Sequence, residues 1–312
     1  MDNLVRAKEL IAELKTITLS SNDADRDAII HDVQKMLMET ERPRDTLFRV
    51  LFINLQLPIL ETANDLNLFG RLCQQSPQSD ADLATEVKTS TVLLNRILRY
   101  LAARKFINED SPGTFSANNI TQTMALEGSQ KAVKHFMTWN SPMYHQLPKF
   151  FKDKKYENVA DGHDCTFQYT YKTDKPIFEV LREKSKWIEN FAGYMSVQRL
   201  GAPSWLDVYP WKDEVTSLEP AQVLFVDLGG GVGHQSVAFR EVVGAVPNRI
   251  VVQVCSNMVH WCHEAARFCR SMRSQDCTDI LTGSTRNCGR DYQAPCCGTH
   301  GTGLVRRTAD QR

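Results

Sequence analysis

Lysine stops two-thirds of the way along this 312-residue chain, at Lys212. Cysteine is scarce in the body, with only Cys73 and Cys165 before residue 255, so no disulfide framework holds it. No run of about 18 apolar residues occurs, which excludes an expected membrane span. The richest stretch, Leu47 to Leu60, is interrupted by Arg49, Asn54 and Gln56. The first residues, Met1-Asp-Asn-Leu-Val-Arg-Ala-Lys-Glu9, lack an apolar signal core, so a cytoplasmic location is expected. Charge of either sign is not in excess: 37 basic residues face 37 acidic ones. No global field therefore favours nucleic acid or an anionic membrane surface. One local absence matters more. No Asp or Glu occurs between Glu241 and Glu264.

What is present is a dense glycine block, Val223-Leu-Phe-Val-Asp-Leu-Gly-Gly-Gly-Val-Gly-His234. Four apolar residues lead into Asp227, then come Gly229, Gly230, Gly231 and Gly233, with a helix expected from about Gln235. Such a strand, turn and helix suits a cofactor lying against the backbone, where a Cβ would collide with it. The dinucleotide fingerprint would place a third glycine three residues after Gly233, but Ser236 stands there. An acidic residue just before the glycines fits S-adenosylmethionine (SAM) better than a dinucleotide. The block begins only about ninety residues before the end, short for an αβ cofactor domain.

Upstream, residues 1 to about 40 read as two amphipathic helices. Leu4, Ala7, Leu10, Ile11 and Leu14 form one stripe, and Asn22 or Asp23 can cap the second helix. One further helix is expected from about Thr46 to Asn64, apolar on more than one side, which suits burial or a subunit interface. Ser79 and Asp82 make a capping-box-like start for a short helix, and Thr91 to Arg104 a stronger one with Leu94, Ile97, Leu98 and Leu101 on one face. Two short strands around Ser111-Pro-Gly113 complete a winged-helix layout. Arg96, Arg99, Arg104 and Lys105 would be the phosphate contacts if it bound DNA. The neutral charge and the flanking Glu109-Asp110 argue instead for a packing or dimerisation unit. Residues 131 to 220 are rich in aromatics, with helices expected near Gln130 to Leu147 and Pro176 to Met195. These rings suit a core and equally the wall of a pocket for a planar substrate.

Together these blocks resemble the caffeic-acid-type, plant and fungal class I O-methyltransferases, and the glycine block with its trailing His-Gln is most similar to the fungal members. The resemblance covers about Leu47 to Gln253. It rests on Asp82-Leu-Ala-Thr-Glu-Val87 with Leu94-Asn-Arg-Ile-Leu-Arg-Tyr-Leu101, Asn190-Phe-Ala-Gly-Tyr-Met195, Val226-Asp-Leu-Gly-Gly-Gly-Val-Gly-His-Gln-Ser236 and Asn248-Arg-Ile-Val-Val-Gln253. It implies a mainly α winged-helix dimerisation domain (1–125), an aromatic-rich substrate-pocket region (126–220) and the start of a Rossmann-like SAM-binding domain (221–254). It implies a homodimer. It implies SAM held by Asp227, Gly229, Gly230, Gly231 and Gly233, with Phe191 and Met195 at the substrate boundary. The substrate would be a small molecule with a phenolic or related hydroxyl, from secondary metabolism, with no nucleic acid, membrane or metal involved.

The sequence departs from that pattern at the second strand. The family's acidic residue, which holds the ribose hydroxyls, falls at Val254. A lost charged hydrogen bond costs about 1.5–3 kcal/mol, or roughly ten- to hundredfold in affinity. Residues 255–312 then hold seven cysteines and eight arginines. Their spacings lack Cys-x2-Cys, which disfavours zinc. This tail reads as a divergent or frame-shifted end, expected to be disordered, and His260, Trp261 and His263 are too early to supply a family base. Only two strands are recognisable, which predicts an incomplete αβ domain. The expectation is an O-methyltransferase whose activity depends on a catalytic half that the sequence does not display. A non-catalytic dimerising relative is one alternative. The other is an enzyme of methyltransferase fold that rearranges or cyclises its substrate, with the cofactor as a fixed positive charge.

Overall fold

The structure is a computed structural model, and it describes residues 2–255 and 278–283 apart from Pro203, Pro220, Ala221, Gly231, Val232, Ala245 and Pro247. The chain separates into two units, Met1–Ile59 and Leu60–Arg312. In the first, α1 (Asn3–Ser20) and α2 (Asp23–Thr40) start at side-chain caps. Asp2 accepts from the Leu4 amide and Asn22 from the Asp25 amide. Arg26 donates to the Thr18 and Ser21 carbonyls and closes the turn between the helices. α3 (Pro43–Ile53) begins at a proline, whose missing N–H is no loss there. No described residue of Met1–Ile59 is buried.

The single helix expected over Thr46 to Asn64 is two. α4 (Gln56–Asp65) starts anew after Asn54-Leu55. Pro58 has no N–H for the Asn54 carbonyl and its ring crowds that carbonyl, which favours a break at this point. After it come α5 (Leu68–Gln74), β1 (Gln78–Ser79), α6 (Asp80–Glu86), α7 (Thr91–Ala103), β2 (Asn108–Ser111), β3 (Thr114–Ser116) and α8 (Asn119–Ala125). The strands form an antiparallel sheet in the order β1-β3-β2, closed by a turn with Gly113 at φ +77°. Leu68, Phe69, Leu72, Leu83, Leu98 and Phe115 are nearly inaccessible and form the core of this segment.

α9 (Glu127–His135) runs through a π turn (Phe136–Asn140) into α10 (Ser141–Asp153). α11 (Thr166–Tyr171), α12 (Ile177–Glu183), α13 (Ser185–Val197), α14 (Trp205–Val208) and α15 (Trp211–Ser217) follow. α9 and α13 lie in very close contact. A Cβ on Gly193 would sit 2.4 Å from Lys131 Cβ, and one on Gly128 would sit 2.5 Å from a Val197 methyl. Lys131 is also clamped by Glu127 at 2.7 Å and Glu189 at 2.9 Å.

The αβ segment is β4 (Val223–Leu228), α16 (His234–Val243), β5 (Arg249–Cys255) and β6 (Thr278–Gly283), a parallel sheet in the order β4-β5-β6. This corrects the incomplete two-stranded domain expected from the sequence. β6 pairs from Ile250↔Thr278 to Cys255↔Gly283, so β5 has a neighbour on both sides. Thr278-Asp-Ile-Leu-Thr-Gly283 has only two apolar residues, so it does not show the continuous apolar run by which parallel strands are read. Pairing with β5, rather than its own pattern, makes it a strand. Residues 256–277 and 284–312, with His260, Trp261, His263 and most of the cysteines, lie outside the described residues. Trp205 stacks on Phe225 at 5.4 Å and meets Phe239 at 5.3 Å, so the aromatics just before β4 fill the space between it and α16. Among the described residues no single helix is long and apolar enough to cross a membrane.

Candidate functional site

The glycine block forms a tight turn from β4 into α16. Gly229 and Gly233 have φ of +70° and +77°, where a side chain costs about 1–2 kcal/mol. The Gly233 amide donates to the Gly230 carbonyl at 2.7 Å, and the Val237 amide then donates to the Gly233 carbonyl as the helix begins. Gly230 is required for a different reason. A Cβ there would lie 2.5 Å from Asp227 Cγ and 2.8 Å from a Val252 methyl. Asp227, at the end of β4, accepts a hydrogen bond from the Ser236 hydroxyl at 2.9 Å. Four of the five residues expected to hold the cofactor, Asp227, Gly229, Gly230 and Gly233, therefore share one turn. Gly231 lies outside the described residues. A turn with glycine at 229, 230 and 233, a strand-end carboxylate and a helix N-terminus fit a nucleoside cofactor with a cationic group. The β4–β5 pairing ends at Leu228↔Gln253, one residue before Val254.

The second cluster lies where α9 meets α13. His135, at the end of α9, is only 4% exposed. Its ring packs parallel to Tyr194 at 5.5 Å, edge-on to Trp139 at 4.7 Å and Phe136 at 5.5 Å, and tilted to Phe191 at 5.6 Å. Burial among these rings pushes its pKa down to about 4, so the imidazole is neutral at pH 7. His135 Nδ1, Trp139 Nε1 and Asn140 Oδ1 are buried and have no hydrogen-bond partner among the described residues. Buried polar atoms are nearly always paired, and three of the unpaired ones fall within these six residues. The π turn widens the helix here, a departure often found at functional sites.

Phe191 belongs to this cluster and also touches Trp139 at 6.1 Å. Met195 is half-buried one helical turn further along α13. Sequence reading named both for the substrate boundary and did not single out His135. The signal was a histidine followed by aromatics at the next and fourth positions, inside a stretch already recognised as aromatic-rich. His234, the first residue of α16, also has a buried Nδ1 without a partner among the described residues.

Residues 52–126 match the O-methyltransferase dimerisation domain. The chain is 31% identical over 256 residues to the O-methyltransferase lepI of Aspergillus flavus, covering 81% of this chain and 65% of that protein. It is 28% identical over 246 residues to the demethylsterigmatocystin 6-O-methyltransferase of Aspergillus parasiticus, covering 78% of this chain and 63% of that protein. Among solved structures, one described as a pericyclic reaction enzyme matches with a TM-score of 0.79 at 26% identity, covering 90% of this chain and 71% of that one. The structure of a LepI complex with SAM matches equally well, at 25% identity over 91% of this chain. The chain thus spans about 65% of the length of the curated relatives it matches. The match over 90% of the chain overturns the expectation that the resemblance stops at residue 254 in a truncated or frame-shifted domain. It likewise overturns the reading of an O-methyltransferase inactive for want of that half.

Proposed function

We propose that this chain is a SAM-binding enzyme of methyltransferase fold that rearranges or cyclises a small aromatic or hydroxylated molecule of fungal secondary metabolism. Asp227, Gly229, Gly230, Gly231 and Gly233 hold the cofactor, and Phe191 and Met195 line the substrate boundary. When bound, SAM supplies a fixed sulfonium charge beside the pocket. The observation that carries the reading is the likeness over 90% of the chain to a pericyclic reaction enzyme, and the neutral, aromatic-walled His135 fits it. With a pKa near 4 against about 10 for a phenol, proton abstraction by it would be uphill by about 8 kcal/mol. It is therefore a poor base for activating a hydroxyl. A neutral imidazole beside Trp139 Nε1 can instead donate a hydrogen bond to an oxygen that gains charge during bond reorganisation, a role that needs no proton transfer.

The chain acts as a homodimer through its N-terminal helices. The dimerisation-domain match over residues 52–126 supports a homodimer, and the apolar side chains left exposed on α1–α3, which lie almost wholly before that match, offer further surface for it.

The test is incubation of the purified protein with SAM and candidate aromatic or hydroxylated substrates, read by mass spectrometry. The expected product is an isomer of its substrate, formed without S-adenosylhomocysteine. A product heavier by one methyl group, with stoichiometric S-adenosylhomocysteine, would overturn the reading in favour of methyl transfer.

A further inference from the structure

The hydroxyl of Ser236 occupies the position where a dinucleotide-binding turn would carry its third glycine. That glycine serves close packing of the helix on the strand, and Ser236 is 3% exposed in the same crowded place. A buried helical serine usually bonds back to its own helix. Here the hydroxyl reaches nine residues back and donates to Asp227 Oδ2 at 2.9 Å. Gly230 stands against the same oxygen, since a Cβ on it would lie 2.6 Å from Oδ2. An aspartate carboxylate otherwise rotates broadly about its last torsion. With Oδ2 held by a hydroxyl and crowded by a backbone, that freedom is restricted. Among the described residues no hydrogen bond is made to Oδ1.

We infer that Ser236 is a positioning residue for the cofactor: it fixes the Asp227 carboxylate so that Oδ1 is available to the cationic amino group of SAM. The inference rests on the reading of this turn as a SAM site. It separates two roles that one small residue combines, since space is needed for packing and the hydroxyl for binding.

The experiment is isothermal calorimetry of SAM with the full chain and its S236A, S236G, D227N and D227N/S236A variants, each checked for its fold by circular dichroism. S236A and S236G, which keep the space but lose the hydroxyl, are both expected to weaken SAM by about tenfold. D227N should weaken it as well, and S236A should add nothing in the D227N background, because the hydroxyl acts through the carboxylate. Should S236A fail to fold, S236G and a D227N/S236G pair carry the same comparison. Unchanged affinity in folded S236A and S236G would overturn the inference, as would a full additional loss in the double variant. Absence of SAM binding by the unaltered chain would remove the cofactor reading, and this inference with it.

Discussion

His135 carries consequences that follow from one side chain. An unburied histidine titrates near 6.5, and burial holds this one near 4. Above about pH 6.5 the ring is neutral whether folded or not, so the folded state loses nothing. Between 6.5 and 4 the unfolded chain takes up the proton first, so stability falls as pH falls. The loss reaches about 3 kcal/mol below pH 4. Chemical denaturation at a series of pH values should show this acid limb in the natural chain, and H135F should flatten it. The same variant keeps a ring in the cage but removes the donor proposed to meet the substrate oxygen, and the proposed rearrangement activity should drop about a hundredfold or more. G230A places a methyl group against Asp227 and Val252. It should abolish measurable SAM binding in calorimetry, whereas G229A, with open space around its Cβ, should show mainly the 1–2 kcal/mol of backbone strain.

At the scale of elements, α9 and α13 meet through glycines at Gly128 and Gly193, and this contact sets the walls of the histidine cage. G193A must move Lys131 at its Cβ rather than at its flexible end. We expect a loss of about 1–3 kcal/mol, read as a lower thermal midpoint, with SAM affinity little changed because the glycine turn is untouched. Elements whose signals are local were legible in the sequence. Asn22 and Ser79 cap their helices, the stripe Leu94, Ile97, Leu98 and Leu101 faces inward on α7, and β4 and β5 lie where the apolar runs are. Elements decided by a neighbour were not. The π turn has no sequence marker, and β6 is a strand because β5 offers it an unpaired edge, whereas the break before α4 had a local signal in Pro58 that was not read.

For the whole molecule, the unit Met1–Ile59 is the anomaly. Leu10, Ile11, Met36, Leu37, Leu51 and Phe52 are all more than 45% exposed, a density of apolar surface that monomers seldom show. Burial against a second copy would remove it from water at about 25 cal/mol per Å². L37E combined with L51E should convert the proposed dimer to monomer in sedimentation velocity, with the SAM-binding turn intact.

The sequence by itself determined the two N-terminal helices, α6, α7 and α16, two parallel strands, the glycine turn with its carboxylate, and the aromatic wealth of the middle region. These are properties of short windows, in which periodicity, capping and backbone freedom act on neighbours in the chain. Only the tertiary structure decided that the sheet continues into β6, that Ser236 closes on Asp227, and that His135 is sealed among Phe136, Trp139, Phe191 and Tyr194. The reason is physical. A histidine's proton affinity and a carboxylate's orientation depend on what surrounds them in space, and those surroundings come from segments up to 60 residues apart in the sequence.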